Sequence, residues 1–533
     1  MRASLLLLLA AAAVACILAI PSADAAEVYE EDGFTYSIDD GEATLVFADI
    51  DVVGTDAVVR DTVKDGVRVT GIGDAVFISD EWTSVTLGRY VDSVETSSFM
   101  GQSITHFALA PGYAGDFEVV DGVLMKKLLG GNAYSLVRYP AARSDSTYGI
   151  PSDVIQLEVL SFYGCKNLVT LNFPADCLIS LIPVSAFSLC TKLAHINHDG
   201  TWNNLPESVV IVAEAAFMDC RSLGDIRMPE HLREIGAVAF STCGFKRVML
   251  DDDLSSVANM AFDSCPNLES FITSQSSFDS YLNYVSVDGV LYHRDSMRTL
   301  VAYPSGKVSD VFRIPDEVSH IADGAFYGAK GLGSVVLGNG IIEVPNMAFG
   351  QCTALTKVTM TGKVSIIASA AFMGCTSLRT VEGWDSVTSI GMNAFEKCAF
   401  TELKLPSAIR LLRAYAFSDN GALTEVTVPD SPVTLESDVF RGCAKLSDIT
   451  FEGPDLTLSG MSLNVGSTDS GKVSVTVHLV KDAPTPGSDT YDPQYTDLTI
   501  DQEGHRPFPV ENLFGVAACL RVLFVIIRLV REV

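Results

Sequence analysis

Ala348-Phe349-Gly350-Gln351-Cys352-Thr353-Ala354-Leu355-Thr356-Lys357-Val358-Thr359-Met360 is followed, after a short connection, by Ala371-Phe372-Met373-Gly374-Cys375-Thr376-Ser377-Leu378-Arg379-Thr380-Val381. The two stretches are one phrase said twice. Ala-Phe opens it, Cys follows the Phe by three residues, Leu follows the Cys by three, and Val follows the Leu by three. The aromatic anchor recurs at Phe77, Phe99, Phe162, Phe187, Phe217, Phe240, Phe262, Phe326, Phe349, Phe372, Phe395, Phe417 and Phe440. From Phe326 onward the successive gaps are 23, 23, 23, 22 and 23 residues. A fixed period held over such a length marks a solenoid, in which each unit is one coil of a stack.

Each part of the phrase has a physical role. L-x-x-V-x-L alternates apolar and polar residues and is rich in β-branched side chains, so it reads as a short strand. Pro often stops it, as at Pro174, Pro229, Pro406 and Pro429. A Val-x-x-Ile pair precedes many anchors, as Val387 and Ile390 precede Phe395. A-F-x-x-C is too short for a stable helix and reads as one turn of helix or 3₁₀ on the far side of the coil. One such unit cannot bury its own apolar face, but stacked units can, with Phe, Leu and Val each forming a ladder. The fold class expected is a β-rich solenoid of short parallel strands, with about thirteen coils spanning roughly 60 Å at strand spacing.

Two gaps, Phe99 to Phe162 and Phe262 to Phe326, are 63 and 64 residues long and contain the same inserted phrase. Val120-Asp-Gly-Val-Leu124 with Leu136-Val-Arg-Tyr139-Pro140 matches Val287-Asp-Gly-Val-Leu291 with Leu300-Val-Ala-Tyr303-Pro304. Two β runs joined by a polar connection predict a hairpin-like coil built into the stack, near 117–151 and 281–315. The ends read as caps. Phe34–Ile38 and Ala43–Phe47 flank Asp39-Asp-Gly-Glu as a hairpin. Alternation over Val473–Leu479 predicts a strand, with Leu498–Ile500 pairing back, after the repeat fades at Gly453.

These residues closely resemble the BspA-like, or treponemal-type, leucine-rich-repeat surface proteins. That family's phrase is A-F-x-x-C-x-x-L-x-x-I-x-L-P with an upstream V-x-x-I-G, and Ile72-Gly73, Ile235-Gly236 and Ile390-Gly391 carry the I-G step. The V-D-G-V-L-Y insert, clearest at Val287–Tyr292, is similar to a family feature. The resemblance covers about residues 30 to 452. It implies a secreted or surface-anchored protein, with adhesion to host proteins or other microbes as the expected role. It implies no shared catalytic site.

Composition limits the partners. Acidic residues outnumber basic ones, 66 to 36, for a formal charge of −30. That excludes nucleic acid, which requires Lys and Arg to neutralise phosphates. A calcium loop is not formed at Asp49-Ile-Asp51 leading to Gly54, because its twelfth position is Arg60 and not Glu, so a hairpin turn is expected there. Nine of the 12 cysteines follow an anchor Phe by three residues: Cys165, Cys190, Cys220, Cys243, Cys265, Cys352, Cys375, Cys398 and Cys443. Asp80, Gln102, Ala329 and Asn420 fill the same slot, so it asks for a small buried residue, and a ladder of thiols is expected over disulfides. His195 and His198 form H-x-x-H at a strand end and read as an exposed pair, since zinc proteases place H-E-x-x-H on a helix. No G-x-S-x-G, P-loop or dinucleotide-binding glycine pattern occurs, and no catalytic, cofactor or metal residue is assigned.

The domain reading follows. Residues 1–25 form a signal peptide, with Arg2, the apolar run Leu5–Ile20, Pro21 and cleavage after Ala23-Asp-Ala25; Cys16 offers an alternative lipidation site. Then come an N-terminal β cap at 26–70, the solenoid at 71–452 and a C-terminal β cap or stalk at 453–510. Residues 511–533 form a single-pass membrane anchor, an apolar cap or an interfacial helix. Leu513–Val530 is strongly apolar, but it carries Arg521 and Arg528, and a central Arg costs roughly 2.5 to 3.5 kcal/mol on insertion scales.

Side chains at the x positions of L-x-x-V-x-L point outward. They give a candidate binding face of Asp225, Arg227, Arg247, Lys357, Thr359, Glu382, Glu402, Lys404, Glu425 and Thr427, for an extracellular protein or glycan ligand. The alternatives are a structural envelope or matrix component, in which contacts run chain to chain, and a glycan-active enzyme using scattered acids.

Overall fold

The computed structural model describes residues 26–274, 283–294, 298–467, 469–480 and 482–502. The expected signal peptide at 1–25 and the apolar stretch Leu513–Val530 lie outside these residues. Among the described residues, no helix is long and apolar enough to cross a membrane. The chain divides into two units, Met1–Ile341 with Pro345–Leu355, and Ile342–Val344 with Thr356–Val533.

Both units are β-solenoids with almost no helix, and each coil has three sides. The L-x-x-V-x-L side forms parallel ladders, such as Asn203–Asn204, Ile226–Arg227, Arg247–Met249 and Ser270–Ile272 in the first unit. The V-x-x-I side forms a second ladder, which in the second unit runs from Glu343–Val344 through Ile366–Ile367, Ser389–Ile390, Leu411–Leu412 and Val433–Leu435 to Leu456–Leu458. The sequence marks this pair only as an apolar spacing, because two-residue strands are too short to show alternation.

The third side carries A-F-x-x-C. Each segment makes i→i+3 turns, such as Ser188 N–H to Ser185 O and Cys190 N–H to Phe187 O, both at 3.2 Å, that do not continue into helix. The alternate N–H groups reach the next coil: Leu160, Phe162 and Gly164 donate to Val184, Ala186 and Ser188 at 3.2, 2.8 and 2.8 Å. Aiming them that way places the residues two before and two after the anchor at positive φ in each coil from Phe162 to Phe440. Gly164, Gly324, Gly328, Gly374 and Gly442 meet that demand at no steric cost, whereas Val238 (φ 49°) and Thr242 (φ 58°) meet it against their branched side chains.

The anchors fill the interior. Successive rings from Phe162 through Phe187, Phe217, Phe240 and Phe262 stack 4.9, 5.0, 5.2 and 5.4 Å apart. Phe372, Phe395 and Phe417 do the same in the second unit at 5.1 and 5.2 Å. These distances match the spacing of neighbouring strands, so the ladder period is the backbone period. Tyr139 and Tyr303, both from the inserts, occupy anchor places and stack on Phe162 and Phe326 at 5.1 and 4.9 Å.

Each insert is a three-stranded antiparallel meander whose last strand rejoins the solenoid in parallel. The first comprises Phe117–Val120, Val123–Leu128 and Ala133–Arg138, the last pairing Val154–Leu157. The second comprises Tyr284–Val287, Val290–His293 and Thr299–Ala302, the last pairing His320–Ile321. Their shared turns, Asp121-Gly122 and Asp288-Gly289, have both residues at positive φ, the geometry that suits strand twist in a two-residue hairpin.

At the N-terminus the expected hairpin is present as Phe34–Asp39 and Glu42–Ala48, extended by Glu27–Glu31. Asp49–Gly54 is not a hairpin turn. Ile50–Val53 makes one turn of helix, with Asp49 accepting from the Asp51 N–H at 3.0 Å. At the C-terminal end Val473–Leu479 is a strand, and Thr496–Gln502 joins it in parallel, so the sheet continues where a fold-back was expected.

The cysteine slot is more than a small space. Its thiol donates to the anchor carbonyl of the preceding coil: Cys190 to Phe162 O at 3.0 Å, Cys220 to Phe187 O at 3.2 Å, Cys243 to Phe217 O at 3.2 Å, Cys398 to Phe372 O at 3.4 Å. Where Asn420 stands instead, its amide donates to Phe395 O at 2.8 Å and to Phe417 O at 2.9 Å. Burial pushes the Cys220, Cys243 and Cys398 thiols well above their ordinary range and Cys443 up to about 12, so they remain protonated donors. No disulfide joins cysteines among the described residues.

Candidate binding face

The strand side that carries the candidate residues alternates as a half-buried sheet must. Ile226, Val248, Val358, Leu403 and Val426 are buried, while Arg227, Arg247, Glu382, Glu402, Lys404 and Glu425 between and beside them are exposed. Asp225, Lys357, Thr359 and Thr427 are half-buried by their neighbours on the same face. Three of the ten residues belong to the first unit and seven to the second.

In the first unit Asp225 and Arg247 pair across neighbouring strands at 2.7 Å, and Asp225 also accepts the Lys246 and Arg247 N–H groups at 2.8 Å each. The Arg247 guanidinium lies over the Trp202 ring, 4.7 Å from its centroid. Trp202 belongs to the loop that lengthens the Phe187 to Phe217 coil. Asn203 pins that loop by accepting from Ile196 N–H at 2.8 Å and donating to Ala194 O at 3.1 Å. The same loop rearranges the H-x-x-H pair. His195 is half-buried, its ring 4.7 Å from that of exposed His198, and its Nδ1 is buried without a partner. Among the described residues, no group of three His, Cys, Asp or Glu is arranged to hold a metal ion.

The second unit holds the more developed site. Lys357 and Glu382 form an ion pair at 2.8 Å. Glu402 is in register with Glu425, and Glu425 with Asp448, so three acids stand in line on adjacent strands. Like charges so placed repel, and neither Glu402 nor Glu425 has an ion-pair partner among the described residues. On the next strand Thr476 is in register with Asp448, and His478, two residues on, meets Asp448 with its Nε2 at 3.0 Å and Asp501 with its Nδ1 at 3.2 Å. The bond to Asp448 leads in raising the imidazole pKa, and the bond to His478 leads in lowering that of Asp448.

Beside this row the sheet is interrupted. No strand pairing joins Thr380–Glu382 to Glu402–Lys404, although Ala399 N–H still reaches Leu378 O (2.9 Å) and Ala408 N–H reaches Asp385 O (3.3 Å) on either side of the gap. The coil is one residue short at Cys398-Ala-Phe400. That alone does not open a sheet, because Cys243-Gly-Phe245 is equally short and Arg247–Met249 still pairs. The difference is Gly383-Trp384. Gly383 has φ 70°, and a Cβ there would stand 2.0 Å from Met360 O, so the chain turns where only glycine fits. Trp384 then packs edge-on to Phe395 at 6.0 Å, 8% exposed. The result is a cleft of about 500 Å³ lined by Trp384 and Leu403 with Arg379, Asp385, Glu402, Lys404 and Glu452 around it. Sequence spacing found Glu402 and Lys404. It missed Arg379, Trp384, Asp385 and Glu452, whose proximity depends on the interruption; the Gly-Trp pair in place of a strand ending was the available signal.

Fold and face together define a leucine-rich-repeat solenoid protein. Residues 144–207, 199–285, 305–421 and 378–462 match the family described as BspA type leucine rich repeat region, and these matches cover more than half of the sequence. The chain belongs to this family. Among solved structures, it is similar to a leucine rich cell surface protein from Faecalibacterium prausnitzii, at 20% identity over 81% of this chain and 96% of that one, with a TM-score of 0.44. It is also similar to a leucine-rich repeat protein from Eubacterium ventriosum, at 20% identity over 74% and 96% of the two chains, with a TM-score of 0.49. A Treponema pallidum leucine rich repeat protein is matched at 22% identity over 48% and 87%, with a TM-score of 0.24. No curated protein matches.

Proposed function

We propose that this chain is an exported, non-enzymatic cell-surface protein that binds an extracellular protein or glycan on the outer strand face of its solenoid. The observation that carries this reading is the second unit's face, where Glu402, Lys404 and Arg379 stand around an open cleft without ion-pair partners among the described residues. A face serving only solubility would gain by neutralising neighbouring charges, as Lys357 and Glu382 do elsewhere on it. A mixed-charge rim around a Trp-lined cleft instead suits a polar macromolecule that brings complementary charge. The family supports a surface role, and the N-terminal apolar segment supports export.

The test is adhesion by cells bearing the full chain to immobilised extracellular-matrix proteins and to a glycan array. Charge reversal in a Glu402→Lys, Lys404→Glu, Glu425→Lys triple variant is expected to abolish capture of whichever ligand binds, with surface abundance unchanged. Undiminished capture by that variant would contradict the assignment of this face.

A further inference from the structure

The two inserts supply an internal comparison. They share sequence, strand order and turn geometry, and Tyr139 and Tyr303 hold equivalent anchor places. Among the positions that differ, one changes charge inside the stack: Arg138 precedes the first tyrosine and Ala302 precedes the second. Ala302 is compatible with the insert's strand pairing and ring stack, so the architecture does not require an arginine here.

Arg138 is nevertheless buried, with 4% of its surface exposed. It donates to the carbonyls of Leu160 and Tyr163. No carboxylate lies within ion-pair distance of it among the described residues. Its guanidinium also lies over the Tyr163 ring, 5.7 Å from the centroid, so its charge is met by carbonyl dipoles and a ring face but by no anion. Burial pulls its pKa down only to about 10, so it is cationic at neutral pH.

The space beside it differs in the same sense. At the second insert, the groove lined by Val257, Ala258, Val301 and Ala302 is closed to about 10 Å³. At the first insert, the groove lined by Val94, Glu95, Val137 and Arg138 opens to about 180 Å³, with Phe99 and Phe117 as apolar wall. Lys126 adds a second cation, its Nζ 5.5 Å from the Phe117 ring centroid. Glu95 and Glu158 also line the pocket and equal its two cations in number, so the pocket as a whole carries no net charge to draw a dianion.

We propose that this pocket binds a small organic monocarboxylate, its charge taken by Arg138 and its apolar body resting on Phe99 and Phe117. The planar guanidinium matches a carboxylate in geometry. The two glutamates disfavour a dianion such as phosphate or sulfate.

Calorimetric titration of the purified full chain with butyrate, benzoate, phosphate and sulfate tests this. Saturable binding of a monocarboxylate is expected, weakened about tenfold or more by Arg138→Ala, which reproduces the second insert. Lys126→Glu adds a third acid at a half-buried position and is expected to weaken binding similarly. It keeps the test open if Arg138→Ala does not fold. Absence of saturation by either carboxylate would overturn the proposal. So would unchanged affinity in a folded Arg138→Ala or Lys126→Glu protein, or phosphate or sulfate binding as tightly as the carboxylates.

Discussion

At the scale of single residues, the molecule reuses one hydrogen bond. A thiol three residues after the anchor caps the anchor carbonyl one coil back, and Asn420 does the same with an amide. Asn420→Cys should therefore be nearly neutral. Asn420→Ala leaves buried Phe395 O and Phe417 O without that donor and should cost about 2 kcal/mol, read from the shift in the urea midpoint of the transition reporting the second unit. The Cys slot was legible as small and buried, but its donor role was not, because Ala329 fills the same slot without one. His478 makes a second prediction. Its folded pKa is raised, so the stability it lends is full below the unfolded imidazole pKa and is lost as pH rises through the folded one. Asp448 is lowered, so its contribution is present above the unfolded carboxyl pKa and lost as pH falls through the folded one. Protection of the Val473–Leu479 amides in hydrogen exchange should fall from pH 6 to 8, and His478→Gln should remove that dependence. An unchanged profile in the variant would mean that the two aspartate contacts contribute nothing measurable.

At the scale of the coil, the far side matters most. Its N–H groups reach the carbonyls of the next coil only because residues two before and two after each anchor adopt positive φ. Left-handed geometry costs an L-residue roughly 1–2 kcal/mol, and a branched side chain worsens it. Val238→Gly should accordingly stabilise the first unit by about 1 kcal/mol, after allowance for the greater entropy of the unfolded glycine. Gly328→Val should destabilise it by about 2 kcal/mol or more, since φ is 74° and the new Cβ would meet Ser264 Oγ at 2.9 Å. Opposite signs in thermal melts would confirm that the turn conformation, and not side-chain burial, sets the energy. These positions are illegible in sequence: leucine, serine, alanine, methionine, lysine and tyrosine all occur there, because tertiary pairing overrides local preference. The strand side was legible, since a period of two with a buried Val or Leu admits one register. Gly383→Ala belongs to this scale as well. With Met360 O in the way, the turn before Trp384 must shift, and loss of ligand capture with little change in the rest of the second unit's exchange pattern is expected.

At the scale of the molecule, periodicity revealed nearly everything that repeats and little that does not. The anchors, the inserts and the N-terminal hairpin follow from spacing. The cleft at Trp384, the loop bearing Trp202 and the pocket at Arg138 arise where one coil departs from its neighbours, and one phrase read alone gives no sign of which departures open space. The proposed function places the outer strand row of the solenoid outside the cell, open to a partner. Protease shaving of intact cells, followed by mass spectrometry of the released peptides, tests that claim most directly. Release of peptides from residues 26–502, with cells remaining intact, is the expected result. Full protection of those residues on intact cells, with cleavage appearing only after lysis, would contradict it.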